Sequence, residues 1–329
     1  MNRLFVISGV TGMTGNELAR QIIGRGEKVI GFDNFFASSI ETVRDLLESD
    51  SFSFHNYDIN NPEQMAEIEK EVLEAKSSVS DVVYINCAAV VHTEHFYNIE
   101  ATFQTNVVGM KTFMEQAIRV GASIYINCST SEVYSMCSFK EGGVKESDYV
   151  LMATAEHSQR TSYATGKLLT EFMIKDAVDK GFIKGCSIRF ANVYSKNELY
   201  PKHILPHIIT SLSKTGEVTL LENAKKTYRT FLSNEDSCSA VLCLIDTDSA
   251  LDGTAYNVGT DEEIYIIDLV YMCADELGIK DPKIKFSGTR LSDPERRLLN
   301  TEKIRERTGW SPMVNVRDGI KAIVGELKK

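Results

Sequence analysis

The sequence predicts an α/β fold, a doubly wound parallel sheet followed by a smaller C-terminal lobe, on three observations. Short apolar runs of strand length alternate with segments of helical periodicity across the first 190 residues. The first run leads at once into a glycine-rich turn, Gly9-Val10-Thr11-Gly12-Met13-Thr14-Gly15, and then into a helix. From about residue 191 the regular alternation stops, and shorter segments with scattered Gly and Pro continue to the end. Strands that alternate with helices are joined by crossovers, which cover both faces of a parallel sheet.

Taken in order, Arg3–Ser8 is an apolar first strand, and residues 16–24 form a helix with Leu18, Ile22 and Ile23 at helical spacing. Lys28–Phe32 is a second strand ending at Asp33, and 52–57 a third ending at Asp58. Pro62–Lys76 is a charged helix opened by proline, whose missing N–H costs nothing in a first turn. A fourth strand, 82–86, runs into Cys87-Ala88-Ala89; a long amphipathic helix, 99–120, leads to a fifth strand at 123–128. A helix at 162–180 and a sixth strand at 186–190 complete the series. This assigns 1–190 to a nucleotide-binding domain, with about 228–248 returning to it, and 191–329 to a lobe that ends in the helix Val316–Leu327. Ligands of open parallel sheets lie at the carboxyl ends of the strands, so a lobe added there closes over the site.

Composition narrows the field of partners. With 329 residues, 43% hydrophobic and 25% charged, the chain is an ordinary globular one, which excludes disordered, collagen-like and coiled-coil classes. Thirty-six Lys and Arg against 46 Asp and Glu leave a net charge of −10, which repels phosphate backbones and anionic lipid heads. Neither nucleic acid nor membrane is expected as a partner. The longest apolar runs, such as 4–10 and 240–245, fall short of the roughly 18 residues of a membrane helix, and the start shows no signal-peptide pattern. Seven cysteines, an odd number without a CxxC pair, read as reduced thiols of a cytoplasmic protein. The pairs His92/His95 and His203/His207 lack further ligands nearby, and Pro206 interrupts the second, so no metal is expected.

Three motifs carry chemistry. In the glycine turn, Gly9, Gly12 and Gly15 allow a tight bend and close approach of a pyrophosphate, with Thr11 and Met13 between them and free N–H groups at the helix start. Asp33, about 18 residues after Gly15, suits the ribose hydroxyls of an adenosine and repels an added phosphate, which favours NAD over NADP; Asn34 adjoins it. Asp58, followed by Ile59, either holds the adenine amino group or caps the helix at Pro62. Tyr163-Ala164-Thr165-Gly166-Lys167 places a phenol and an ammonium on one helix face, with Cβ atoms roughly 5 to 6 Å apart. A cation at that range lowers a phenol's pKa, ordinarily near 10, by about 1 to 3 units and makes it a usable base. Alone this spacing is common and equally describes an exposed helix face. Ser129-Thr130-Ser131-Glu132-Val133-Tyr134 follows the fifth strand, at the sheet edge where a bound cofactor would present its nicotinamide.

Together these motifs resemble an extended short-chain dehydrogenase/reductase of the NAD-dependent epimerase/dehydratase family, whose members act on nucleotide-linked sugars. The resemblance implies a Rossmann-type sheet with a C-terminal substrate-binding lobe, and Thr130, Ser131, Glu132, Tyr163 and Lys167 as the catalytic set. It implies that Ala88 and Ala89 line the cofactor path and that Asn106, in Thr105-Asn106-Val107-Val108-Gly109, belongs to the cofactor site. Asn192, in Arg189-Phe190-Ala191-Asn192-Val193-Tyr194, would touch the sugar diphosphate, and Arg229 and Arg290 resemble diphosphate clamps. For Arg296 and Arg297 a surface salt bridge is the preferred reading. Gly309-Trp310-Ser311-Pro312 resembles a structural signature of the family. Ser135 and Ser195 stand where the family has Gly, and no Pro precedes Tyr163 within 157–162, so the sugar-binding loops have diverged.

The implied chemistry opens with Tyr163 taking the proton of the sugar 4-hydroxyl, Thr130 hydrogen-bonding that oxygen, and hydride passing from carbon 4 to NAD, while Lys167 holds the ribose and tunes Tyr163. Glu132 decides the next step. It could remove the carbon 5 proton and lead to loss of the 6-hydroxyl, and the same STSE run resembles UDP-glucuronate decarboxylases. Glucose-type 4,6-dehydratases carry Asp where Ser131 stands, and the run is closer to mannose-type dehydratases. Simple 4-epimerases usually lack the Glu. The alternatives are such an epimerase or a non-catalytic NAD-binding regulator, against which the intact Thr130, Tyr163 and Lys167 argue. The resemblance also implies a homodimer, with helices 99–120 and 162–180 pairing across a twofold axis.

Overall fold

The computed structural model describes residues 2–327, apart from 92–95, 160, 197, 199 and 292. The chain runs β1 (Arg3–Ser8), α1 (Met13–Gly24), β2 (Lys28–Phe32), β3 (Phe52–His55), α2 (Pro62–Lys76), β4 (Asp81–Asn86) and α3 (Ile99–Phe103). A π-helical turn, Gln104–Gly109, joins α3 to α4 (Met110–Arg119), before β5 (Ile124–Thr130), α5 (Thr161–Asp179) and β6 (Lys184–Phe190). Then come β7 (Asn192–Tyr194), α6 (Ile204–Thr215), β8 (Glu217–Leu220), β9 (Tyr228–Ser233), α7 (Asn234–Ile245) and β10 (Asp252–Val258). The chain closes with β11 (Glu263–Tyr265), α8 (Ile266–Leu277), β12 (Lys283–Phe286), β13 (Arg296–Arg297), α9 (Glu302–Thr308) and α10 (Val316–Leu327).

Among the described residues seven strands form one parallel sheet in the order β10-β6-β5-β4-β1-β2-β3. All six residues of β1 are buried, which is why it reads as a continuous apolar run rather than an alternating one. One face packs Leu18 and Ile22 of α1 with Val241 and Leu244 of α7. The other packs Ile68 and Val72 of α2, Phe113 of α4 and Ile174 of α5. The strand order reverses between β1 and β4, so the crevice expected of such a sheet opens beyond Ser8 and Asn86.

Two features depart from the sequence reading. The segment 228–248 divides: Tyr228–Ser233 pairs with β7, β11 and β13 in a small second sheet, whereas Asn234–Ile245 packs against α1. The alternation also does not end at β6, because Asp252–Val258 adds a seventh strand beside it. Its sequence, Asp-Gly-Thr-Ala-Tyr-Asn-Val, is an edge strand with a register shift between Asp252 and Ala255, and neither an apolar run nor clean alternation marks it. The remaining segments build the lobe, where α6, α8 and α10 surround a separate core that includes Leu205, Ile209, Leu269, Val270 and Ile320.

Gly9 ties β1 to β4. Its φ is +69°, and a Cβ there would stand 2.6 Å from the Ala88 amide nitrogen. Gly9→Ala therefore combines a left-handed backbone at a residue with a side chain with a clash against rigid main chain. It is expected to cost at least about 2 kcal/mol of stability, read as a lower melting temperature in a thermal unfolding scan; an unchanged one would show that the turn relaxes freely.

Candidate active site

A cavity of about 1170 Å³ crosses the carboxyl ends of the central strands and runs under the lobe. At one end the glycine turn supplies Gly9, Thr11, Gly12, Met13 and Gly15 to its wall. The first turn of α1 begins at Met13, earlier than the sequence spacing suggested, and Gly12 before it provides no side-chain cap. Its N–H groups remain available to an anion. At Gly15 a Cβ would meet Val10 Cα at 2.7 Å, so the turn closes tightly only without a side chain. The Asp33 carboxylate accepts the Thr11 N–H at 3.2 Å and the Phe35 N–H at 2.8 Å, which fixes it beside the turn at the end of β2.

Asn34, Asp58, Ile59, Ala88 and Ala89 line the same end. Asp58 accepts from the Asn34 side chain at 2.9 Å and from the Asn60 N–H at 2.8 Å. The cap of α2 is instead Asn61, whose side chain accepts from Glu63 and Gln64 N–H, which removes the capping alternative for Asp58. Asn106 does not reach the cavity wall. It is fully buried in the π-turn and spends both ends of its amide on Val90, accepting from N–H at 2.7 Å and donating to C=O at 3.1 Å. It fixes the loop after β4 rather than meeting a ligand directly.

At the centre of the cavity stand Thr130, Glu132, Tyr163 and Lys167. Tyr163 and Lys167 lie on the buried face of α5, as their spacing requires, and the Tyr163 ring stacks on Phe96 with centroids 4.3 Å apart. Lys167 Nζ donates to the Cys128 carbonyl at 2.8 Å. Burial pushes its ammonium below the usual value, against the pull of the Cys128, Cys87 and Glu171 side chains. Thr130 Oγ1 accepts the Glu132 N–H at 3.1 Å, which bends the chain at the end of β5. Ser131, expected in the catalytic set, is buried and does not line the cavity. Ser129 does line it, and donates to Glu171 at 2.6 Å. Glu171 also receives Arg189 Nη2 at 2.6 Å, and Arg189 reaches the Tyr134 hydroxyl at 2.7 Å. This buried network locks the STSE segment against α5 and β6.

Beneath the lobe the wall becomes cationic. Asn192, Arg229 and Arg290 all line the cavity. Arg229 is buried and held by Asp293 at 2.9 Å; burial pulls its guanidinium down to about 10, opposed by Asp293 and assisted by the like charge of Arg297. Arg290 is exposed, its backbone clasped by the Asn223 side chain. The surface reading of Arg297 is overturned: it is 5% exposed, lines the cavity, and donates from Nη1 to Glu132 at 2.5 Å. Its Nε finds no acceptor among the described residues. Arg296, by contrast, pairs with Glu263 outside the cavity. Of the histidine pairs, His207 donates to the Thr219 carbonyl at 2.9 Å and His203 meets Glu198, while His92 and His95 lie outside the described residues. No helix among the described residues is long and apolar enough to cross a membrane.

Known proteins share this fold. Residues 5–259 match the NAD dependent epimerase/dehydratase family. The chain is 26% identical over 332 residues to UDP-glucuronic acid decarboxylase 1 of Arabidopsis thaliana, covering 98% of this chain and 69% of that one. Among solved structures it superposes on DesIV, a dTDP-glucose 4,6-dehydratase from Streptomyces venezuelae with NAD bound, at a TM-score of 0.85 and 20% identity, covering 99% and 97% of the two chains. It superposes equally on a UDP-glucuronic acid 4-epimerase from Bacillus cereus in complex with NAD, at a TM-score of 0.85 and 20% identity, covering 99% of each. At these identities the structural likeness establishes the fold, and the match over most of the sequence establishes kinship: the chain belongs to the NAD dependent epimerase/dehydratase family.

Proposed function

We propose that this protein is an NAD-dependent enzyme of nucleoside-diphosphate sugars that works through a 4-keto intermediate, and that its substrate is a hexuronate which it decarboxylates. The observation that carries the choice is Arg297, a buried guanidinium that lines the cavity with Nη1 held by Glu132. A guanidinium in the wall of a cavity is a ready partner for a sugar carboxylate, whose two oxygens match its donors.

The residues present fit the cofactor. The glycine turn would carry its pyrophosphate, Asp33 its adenosine ribose, Asp58 its adenine amino group, and Tyr163 and Lys167 its nicotinamide half. When bound there, NAD would supply a reversible acceptor for the carbon 4 hydride. Tyr163 removes the proton of the 4-hydroxyl, Thr130 hydrogen-bonds that oxygen, and the Lys167 ammonium favours the phenolate. Arg229 and Arg290, with Asn192, hold the diphosphate. The resulting ketone is β to the carboxylate, so the bond between carbons 5 and 6 can break with its electron pair delocalised onto the ketone oxygen, releasing carbon dioxide. In this reading Glu132, which lines the cavity, exchanges the proton at carbon 5.

We divide the chain accordingly into a nucleotide-binding part, 2–190 with 234–258, and a substrate lobe formed by the rest. Free thiols at all seven cysteines support a reducing, cytoplasmic setting. A homodimer is part of this reading, supported by Ile99 and Phe103 on α3 and Leu169 and Phe172 on α5, exposed apolar side chains on two helices that pack together. Phe172→Glu is expected to yield a monomer by sedimentation velocity; a wild-type monomer, or a variant that still dimerises, would refute that interface. The enzymatic reading is tested with a panel of nucleotide-activated hexoses and hexuronates. Loss of carbon dioxide from a hexuronate, seen by mass spectrometry, is the expected result. Loss of water from a hexose, or an isomer of unchanged mass, would replace it with a dehydratase or an epimerase.

A further inference from the structure

Two cysteines meet on the floor of the cavity. Cys87 and Cys128 follow directly on Asn86 and Asn127, which are paired across β4 and β5, and their sulfurs lie 3.7 Å apart. Both line the cavity. Neighbouring strands stand roughly 4.8 Å apart, within the roughly 4.4–6.8 Å Cα separation that a disulfide spans. Each cysteine is also coupled to a different half of the site. Cys87 continues into Ala88, whose backbone abuts Gly9 of the glycine turn, and the Cys128 carbonyl receives Lys167. A change in the sulfur–sulfur distance therefore reaches the pyrophosphate cradle and the Tyr163–Lys167 pair together.

We propose that Cys87 and Cys128 form a peroxide-sensitive dithiol whose oxidation to a disulfide weakens cofactor binding. Cys128 is the attacking thiol. The hydrogen bond from Cys87, with the Lys167 ammonium assisting, draws it below its usual value although burial opposes this, while Cys87 is pushed up as the donor of that bond and by burial. Its thiolate attacks hydrogen peroxide, the O–O bond breaks to give a sulfenic acid, and the departing hydroxide takes up the proton released when the thiol ionised and leaves as one water. The Cys87 sulfur then attacks the Cys128 sulfur; the S–S bond forms, and the departing hydroxyl leaves with the Cys87 proton as a second water. In total the two thiols lose two hydrogens and two electrons, and one peroxide becomes two waters. The remaining five cysteines offer no sulfur–sulfur contact of this kind among the described residues.

The binding half of this proposal rests on the cavity being the NAD site; the thiol half does not. Peroxide treatment of the purified protein is expected to yield one disulfide-linked peptide joining Cys87 to Cys128, with NAD affinity by calorimetry falling about tenfold, equivalent to about 1.4 kcal/mol, and recovering with dithiothreitol. In Cys87→Ser the linked peptide should disappear, and the affinity of that variant should no longer respond to peroxide. Absence of the linked peptide in the wild type, or its formation without any change in NAD affinity, overturns the proposal. Failure of the untreated protein to bind NAD is instead a failure of the proposed function, and the peptide map distinguishes the two.

Discussion

Tyr163→Phe is expected to lower turnover by about 10²–10⁴-fold, the usual contribution of a positioned acid–base group, while NAD binding stays close to that of the wild type. The reason is geometric. The Tyr163 ring is held by its stack on Phe96, at an interplanar angle of 9°, and phenylalanine preserves that contact and the shape of the cavity wall. Only the hydroxyl is lost, and with it the proposed base for the 4-hydroxyl proton. Lys167 keeps its own anchor at the Cys128 carbonyl, so the variant does not collapse the site. Steady-state kinetics together with an NAD titration separate the two effects. Near-normal turnover would remove Tyr163 from the chemistry, and loss of NAD binding would mean that the hydroxyl matters to the cofactor instead.

For Glu132→Gln the expected result is different in kind: oxidation at carbon 4 persists and the step after it is lost, again by about 10²–10⁴-fold. Mixing enzyme with substrate should give a rise in reduced-nicotinamide absorbance that does not decay, with little product. Glutamine retains the size of Glu132 and an oxygen that can accept from Arg297 Nη1, so the contact at 2.5 Å has a substitute. The charge does not. Arg297 is left uncompensated next to Arg229, whose own guanidinium is already weakened by burial. Breaking one side of a buried pair costs about 3–5 kcal/mol, and the partial exposure of Glu132 reduces this toward the lower end. A thermal unfolding scan alongside the kinetics tells loss of chemistry from loss of structure. Unchanged product formation would exclude Glu132 from the second step.

Much of the site could be read from spacing alone. Tyr163 and Lys167 share a helix face because four residues make about one turn, and the glycine turn is legible because it sits between an apolar run and a helical period. Asp33 is similarly tied to its strand end. Arg297 was not legible. Its partner Glu132 is far away in sequence, and a pair of adjacent arginines carries no sign of which one turns inward; β13 turns Arg297 toward the cavity and Arg296 toward Glu263. Ser131 and Asn106 lie away from the cavity wall, since a motif position does not reveal whether a side chain faces a cavity or braces the backbone around it. The seventh strand escaped for a third reason: an edge strand is specified by the neighbour it joins, and Asp252–Val258 becomes one only because β6 offers it an open ladder.

The sequence by itself determined the parallel sheet, the position of the glycine turn, and the phenol–ammonium pair, because each rests on local periodicity or on the backbone freedom of glycine, which neighbours in the chain dictate. Only the tertiary structure decided which arginine is buried, which motif residues face the cavity, and that two cysteines from separate strands touch. Those outcomes depend on burial and on contacts between residues distant in the chain, where the free energy of a charge or a thiol is set by what packs around it.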